Sequence, residues 1–148
     1  MRLKKAYAFD DVMLVPRLSK LNSRSEVDLS TTVAGIELKI PIIAANMSSV
    51  CEDSMVNALG QMGGLGILHR MCSVEEQTAM IQRSLDSTEN IGFSIGIGED
   101  WRDRMEAGRK AGGNIACLDI AHGHHVRVIE ILDKYFGIYK NFPLIIGQ

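Results

Sequence analysis

The chain lacks any apolar run approaching the ~20 residues of a membrane-crossing helix, which leaves no candidate helical span. Charge of one sign is also missing: 16 Lys and Arg stand against 18 Asp and Glu, a net charge of −2. That balance gives no electrostatic case for nucleic acid or an anionic membrane surface as partner. Cysteine is sparse. The three present, Cys51, Cys72 and Cys117, have no metal-ligand spacing and fit reduced thiols in the cytosol. A targeting segment is likewise not evident, because Asp10 and Asp11 come soon after the basic stretch Met1-Arg2-Leu3-Lys4-Lys5 and break the pattern. The remaining class is a soluble cytoplasmic protein whose 148 residues suit one domain and whose 46% hydrophobic content is ordinary for a globular chain.

Rhythm is what the chain does have. Residues 27–34 and 36–40 read as short extended runs around Gly35, a hairpin in an extension over residues 1–40. From Pro41 onward strands and helices alternate about every 25 residues. Strands are expected at 41–45, 65–68, 91–97 and 115–120, with a fifth starting at Leu144. Helices are expected at 53–62, 73–85, 100–111 and 126–136. Asp53 or Ser54 is placed to cap the first helix, and Ser73-Val74-Glu75-Glu76 forms a capping box for the second. Gly63-Gly64 and Gly112-Gly113 stop the first and third.

This alternation means βαβ units and a parallel sheet, and the nearly continuous apolar strands fit a sheet covered on both faces. Two architectures remain open, a doubly wound sheet and part of a (β/α)₈ barrel. A complete barrel needs about 250 residues, so this chain supplies roughly half.

Polar groups gather on one edge. Asn46, Ser48 and Ser49 come after the first strand, His69-Arg70 after the second, Glu99-Asp100 after the third, and Asp119, His122, His124 and His125 after the fourth. Both candidate folds bind ligands at this carboxyl-terminal edge. Each group also has a plain structural role open to it. Asp119 can hold a turn, His125 can be the solvated start of a helix, His69-Arg70 can be a surface pair, and Met47 can fill core. Cys51 makes a poor nucleophile without a local histidine, and Cys117, inside a strand, reads as core. Gly96-Ile97-Gly98 lacks the third glycine of a dinucleotide loop and reads as a tight turn, with backbone close to a ligand at most. The histidines and Asp119 contain enough ligand atoms for zinc, but an organic ligand is the stronger expectation, and no metal site is assigned.

Several segments, taken in order, are specific. Residues 8–16 (Ala-Phe-Asp-Asp-Val-Met-Leu-Val-Pro), 22–28, 41–47, Gly63-Gly64-Leu65-Gly66, His69-Arg70 and Asp119-Ile120-Ala121-His122-Gly123-His124 resemble the IMP dehydrogenase/GMP reductase family in register from Tyr7 to Gly147. The resemblance implies an α/β fold: the N-terminal half of a TIM (β/α)₈ barrel with parallel strands, behind an N-terminal β-hairpin extension. The absence of room for an inserted domain between Leu85 and Ile91, and the Asn46-Met47 pair, resemble the GMP reductase branch. That branch implies NADPH-dependent reductive deamination of GMP to IMP. The alternatives are IMP dehydrogenase, which uses NAD to convert IMP to XMP, and a non-catalytic half-barrel that binds a nucleotide or a partner.

By the same resemblance, Asn46 and Met47 line the purine nucleotide pocket, and Asp119, Ala121, His122 and Gly123 face the nicotinamide riboside. Ser48 stands where dehydrogenases carry an acid. The family's nucleophilic cysteine comes after its sixth strand and its phosphate loops lie near the seventh and eighth, so this half contains no catalytic residue. The isolated chain is therefore expected to be inactive. It requires a complementary C-terminal half-barrel chain, with a homo-oligomer as the other arrangement.

Overall fold

Crossover helices dictate the pairing. A computed structural model describes residues 4–147; Met1, Arg2 and Leu3 of the basic N-terminal stretch, and Gln148, lie outside the described residues. After two short 3₁₀ turns, strands β1 (Thr31–Val33) and β2 (Ile36–Leu38) pair antiparallel with Thr31 opposite Leu38. Their two-residue link, Ala34-Gly35, has φ of +49° and +85°, the doubly left-handed turn that matches strand twist. The pairing is confined to three residues per strand, shorter than the runs the sequence suggests.

The remaining strands are β3 (Ile43–Ala44), β4 (Leu65–Leu68), β5 (Ile91–Ile95), β6 (Ile115–Asp119) and β7 (Leu144–Gly147). Between them run α1 (Asp53–Met62), α2 (Val74–Ser84), α3 (Trp101–Ala111) and α4 (Val126–Ile138). All five strands pair parallel, and their spatial order runs with the chain from β3 to β7. A doubly wound sheet reverses its strand order; this one never does. The sheet is a parallel half-barrel, as the resemblance implies.

The period-2 alternation of strand side chains then divides the core in two. Leu68, Ile91, Phe93, Ile95, Ala116 and Leu118 pack outward against Val56, Met80, Ile81, Met105 and Ile131 of the helices. Leu65, Ile67, Ile115 and Cys117 point to the concave face, where Leu38 of the hairpin joins them. The hairpin thus closes the amino-terminal end of the concave face, opposite the polar rim. Gly66 sits where a Cβ would come 2.7 Å from Val56 Cα, so β4 and α1 approach more closely than any side chain permits.

Helix ends agree with the sequence reading in three places and depart from it in one. Ser73 and Glu76 form the reciprocal capping box, at 3.1 and 2.9 Å, and Gly63 and Gly112 terminate α1 and α3 in the left-handed conformation. At α1 the N-cap is Glu52, whose side chain does not cap. Asp53, one expected cap, instead turns to Arg83 on α2. Among the described residues no helix is long and apolar enough to cross a membrane.

Candidate functional site

The carboxyl ends of β3, β4 and β6 meet around an ion pair. Arg70, just past β4, donates from Nε to Asp119 Oδ2 at 2.9 Å, reaching across the end of β5. The guanidinium passes close over Gly96, where a Cβ would lie 3.2 Å from it. The sequence reads Gly96-Ile97-Gly98 as a tight turn with backbone close to a ligand at most; the side chain lying against Gly96 is that of Arg70. Among the described residues the Asp119 carboxylate accepts from no backbone amide; its partner is Arg70. Its Oδ1 is not engaged by Arg70, and both terminal nitrogens of Arg70 lack partners among the described residues.

His69 is not the surface residue that its pairing with Arg70 suggests; it is 3% exposed. Its Nδ1 accepts from the Met71 amide at 3.1 Å, so Nε2 carries the proton that faces Glu52 Oε1 at 3.4 Å. The His69 carbonyl is held in turn. Buried Gln77 of α2 donates to it at 2.9 Å and to the Ser94 carbonyl at 3.0 Å, tying the ends of β4 and β5 together. Gln77 Oε1 accepts from Arg104 of α3 at 3.2 Å, and Arg104 donates again to the Cys72 carbonyl at 3.0 Å. Sequence reasoning missed both residues. The available signal was their place on apolar stripes: Gln77 lies three residues before Met80, and Arg104 beside Met105.

A cleft of about 370 Å³ opens above this framework, lined by Asn46, Met47, Ser48, Arg70, Asp119 and Ala121 among others. Two of the expected nucleotide residues and two of the expected cofactor residues thus share one cavity. Met47 is 55% exposed on the cleft rim of this half-barrel. Asn46 is buried, and among the described residues no hydrogen bond satisfies its carboxamide. It also lines a second, apolar hollow of about 310 Å³ on the concave face, beside Ile67, Cys117 and Ile145.

His122 and Gly123 do not line the cleft; they lie on the exposed loop after β6. His125 is the N-cap of α4, its Nδ1 accepting from the Arg127 amide at 3.1 Å. Among the described residues no three His, Cys, Asp or Glu side chains gather as a metal ion would need. Burial pushes the thiols of Cys51 and Cys117 up to about 11, so neither carries appreciable thiolate at neutral pH.

Fold and rim together define a parallel β/α half-barrel with a polar cleft at its carboxyl-terminal edge. Residues 6–148 match the IMP dehydrogenase / GMP reductase domain, and the chain belongs to that family. It is 48% identical to a GMP reductase of Leishmania donovani over 124 residues, covering 78% of this chain and 25% of that protein. It is equally, 48%, identical to an inosine-5'-monophosphate dehydrogenase of Korarchaeum cryptofilum over 139 residues, covering 92% of this chain and 29% of that protein. A Borreliella burgdorferi inosine-5'-monophosphate dehydrogenase is 29% identical over 196 aligned positions, covering 98% of this chain and 48% of that protein. The chain thus spans between a quarter and a half of the length of these relatives.

Proposed function

We propose that the chain is the N-terminal half of a purine nucleotide oxidoreductase of GMP reductase type, working in the cytoplasm, in which NADPH drives the reductive deamination of GMP to IMP and ammonia. One juxtaposition carries the reading: the cleft that joins Asn46 and Met47 to Asp119 and Ala121 in a chain of this family. Asn46 and Met47 take the purine nucleotide. The exposed thioether lies against the base, and the unpartnered carboxamide offers a donor and an acceptor to its edge. Asp119 accepts a ribose hydroxyl of the nicotinamide riboside through Oδ1, while Arg70 fixes its orientation through Oδ2. Ala121, His122 and Gly123 carry the loop along the cofactor. A Cβ at Gly123 would meet only Ile146, at an ordinary 3.6 Å, so packing does not demand glycine there. Close passage of the cofactor supplies the reason for it.

No group in this half attacks the purine. The reactive cysteine, the phosphate loops and the proton-transfer groups belong to the half of the barrel beyond β7. Turnover therefore requires those groups together with the cleft formed here. A second reading, IMP dehydrogenase with NAD, is favoured by the equal identity to the Korarchaeum dehydrogenase.

The test pairs the chain with a complementary half-barrel polypeptide. NADPH oxidation with GMP and NAD reduction with IMP are monitored in parallel, with each chain alone as control. Reductase activity from the pair, lost in Asp119→Ala, supports the proposal; NAD reduction instead selects the second reading. Turnover by the single chain overturns both.

A further inference from the structure

Three buried polar side chains converge on one bend beside the cleft. Between β4 and α2 the chain turns through Arg70, Met71 and Cys72, none of which takes part in a backbone–backbone hydrogen bond among the described residues. Such a segment is shaped by whatever else bonds to its polar groups. Here those bonds come from side chains. Arg104 donates to the Cys72 carbonyl, Gln77 donates to the His69 carbonyl that opens the bend, and His69 Nδ1 accepts from the Met71 amide. Only the last of these spans Arg70, closing the turn from residue 69 to residue 71 around it.

His69 also ties the bend to a second segment of the cleft wall. The loop after β3 lines the cleft with Met47, Ser48 and Ser49, and the bend lines it with Arg70 and Met71. Glu52 ends that loop. As the N-cap residue of α1 its side chain makes no capping bond and instead faces His69 Nε2 at 3.4 Å. An imidazole this deeply buried is costly unless it is bonded, and an apolar side chain would fill the space as well. Both of its nitrogens are engaged by the two segments that carry the cleft lining.

We propose that His69 is a positioning residue for the cofactor cleft. With the proton on Nε2, its Nδ1 holds the Arg70–Met71 bend in the shape that carries Arg70 Nε onto Asp119 Oδ2, leaving Oδ1 for a ribose hydroxyl. This inference rests on the cofactor reading of Asp119 and adds the group that sets its orientation at one remove. His69 itself does not line the cleft; it acts through Arg70.

Two substitutions separate the roles of the ring nitrogens. His69→Asn puts an amide oxygen where Nδ1 stands, able to accept from the amide two residues on as in an Asx-turn, and gives up the contact with Glu52. His69→Gln carries its amide out to the Nε2 position, keeps a donor toward Glu52 and gives up the Met71 bond. The first readout is NMR exchange of the Arg70 Nε–H with water in the free chain. It is expected to quicken at least fivefold in His69→Gln and to stay within twofold of wild type in His69→Asn, although His69→Asn removes buried volume and should unfold at lower urea. The second is NMR titration with nicotinamide mononucleotide, whose binding is expected to weaken at least tenfold in His69→Gln and less than threefold in His69→Asn. In an Arg70→Met background His69→Gln should weaken binding no further. Exchange unchanged in His69→Gln, or quickened equally in both variants, overturns the positioning role and leaves the cofactor reading standing. A further tenfold loss in the Arg70→Met background overturns action through Arg70. Exchange that follows the Nδ1 acceptor in a wild-type chain that does not bind the mononucleotide overturns the cofactor reading, and with it the purpose assigned to His69.

Discussion

Replacing Gln77 isolates the framework beneath the cleft. Its carboxamide donates to the His69 and Ser94 carbonyls and accepts one Arg104 N–H, all in a site where Gln77 is 1% exposed. Gln77→Met keeps the length and removes all three bonds. Each buried polar group left without a partner costs about 1–3 kcal/mol, the charged donor nearest the upper end. Local adjustment and an admitted water repair part of this, so a net loss of about 3 kcal/mol is expected. For a chain of this size that lowers Tm by roughly 6–12 °C. Arg104→Met strands the Gln77 carbonyl oxygen in the same way, so the double variant should cost less than the two single ones together. The expected coupling is about 1–3 kcal/mol in a double-mutant cycle. Urea unfolding monitored through Trp101, which lies on α3 with Arg104, provides the assay. A Gln77→Met protein within about 0.5 kcal/mol of wild type, the range of ordinary surface substitutions, would show that the bridge does not hold β4 and β5 and refute the reasoning.

Packing and charge give three further outcomes. In Gly108→Ala the new Cβ would stand 2.5 Å from the Phe93 ring. Overpacking of about 1–3 kcal/mol should then outweigh the ~1 kcal/mol of helix propensity gained, and urea unfolding that shows net stabilisation would contradict the α3–β5 contact. Arg83 holds the Asp53 carboxyl below the usual carboxylate range, chiefly through their hydrogen bond. The stabilising contribution is complete above the ordinary aspartate value of about 3.9 and fades as pH falls through the lowered one. The stability gap between wild type and Asp53→Asn should therefore be constant from neutral pH down to about 4.5 and close in stronger acid; a gap that widens in acid reverses the sign. Alkylation at pH 8 should modify Cys72 first, because Cys51 and Cys117 are buried with thiols near 11 and thiolate fractions of about one in a thousand. Mass spectrometry that finds Cys51 modified as fast as Cys72 would refute their burial.

The order of elements and the polar edge were determined by the amino-acid sequence alone. Apolar runs that alternate with amphipathic stretches, glycines at 63 and 112, and a Ser73–Glu76 box are local signals, each specifying its element without reference to the rest of the chain. Since parallel strands share a direction, residues just after them fall on one rim, which is why Asn46, Met47, Asp119 and Ala121 could be expected at one site. The choice of half-barrel over doubly wound sheet needed the strand order, a non-local property that motif resemblance anticipated and spacing did not. Side-chain partners were decided only by the tertiary structure. Arg70 meets Asp119 from forty-nine residues away, and Gln77 reaches Ser94 and Arg104 from neighbouring units. Such bonds depend on how strands and helices stack in space, and a buried glutamine or a guanidinium lying over Gly96 has the same spelling in sequence as a solvated one. Local periodicity sets which face of an element is apolar, while the packing of those faces chooses which few polar groups are trapped between them.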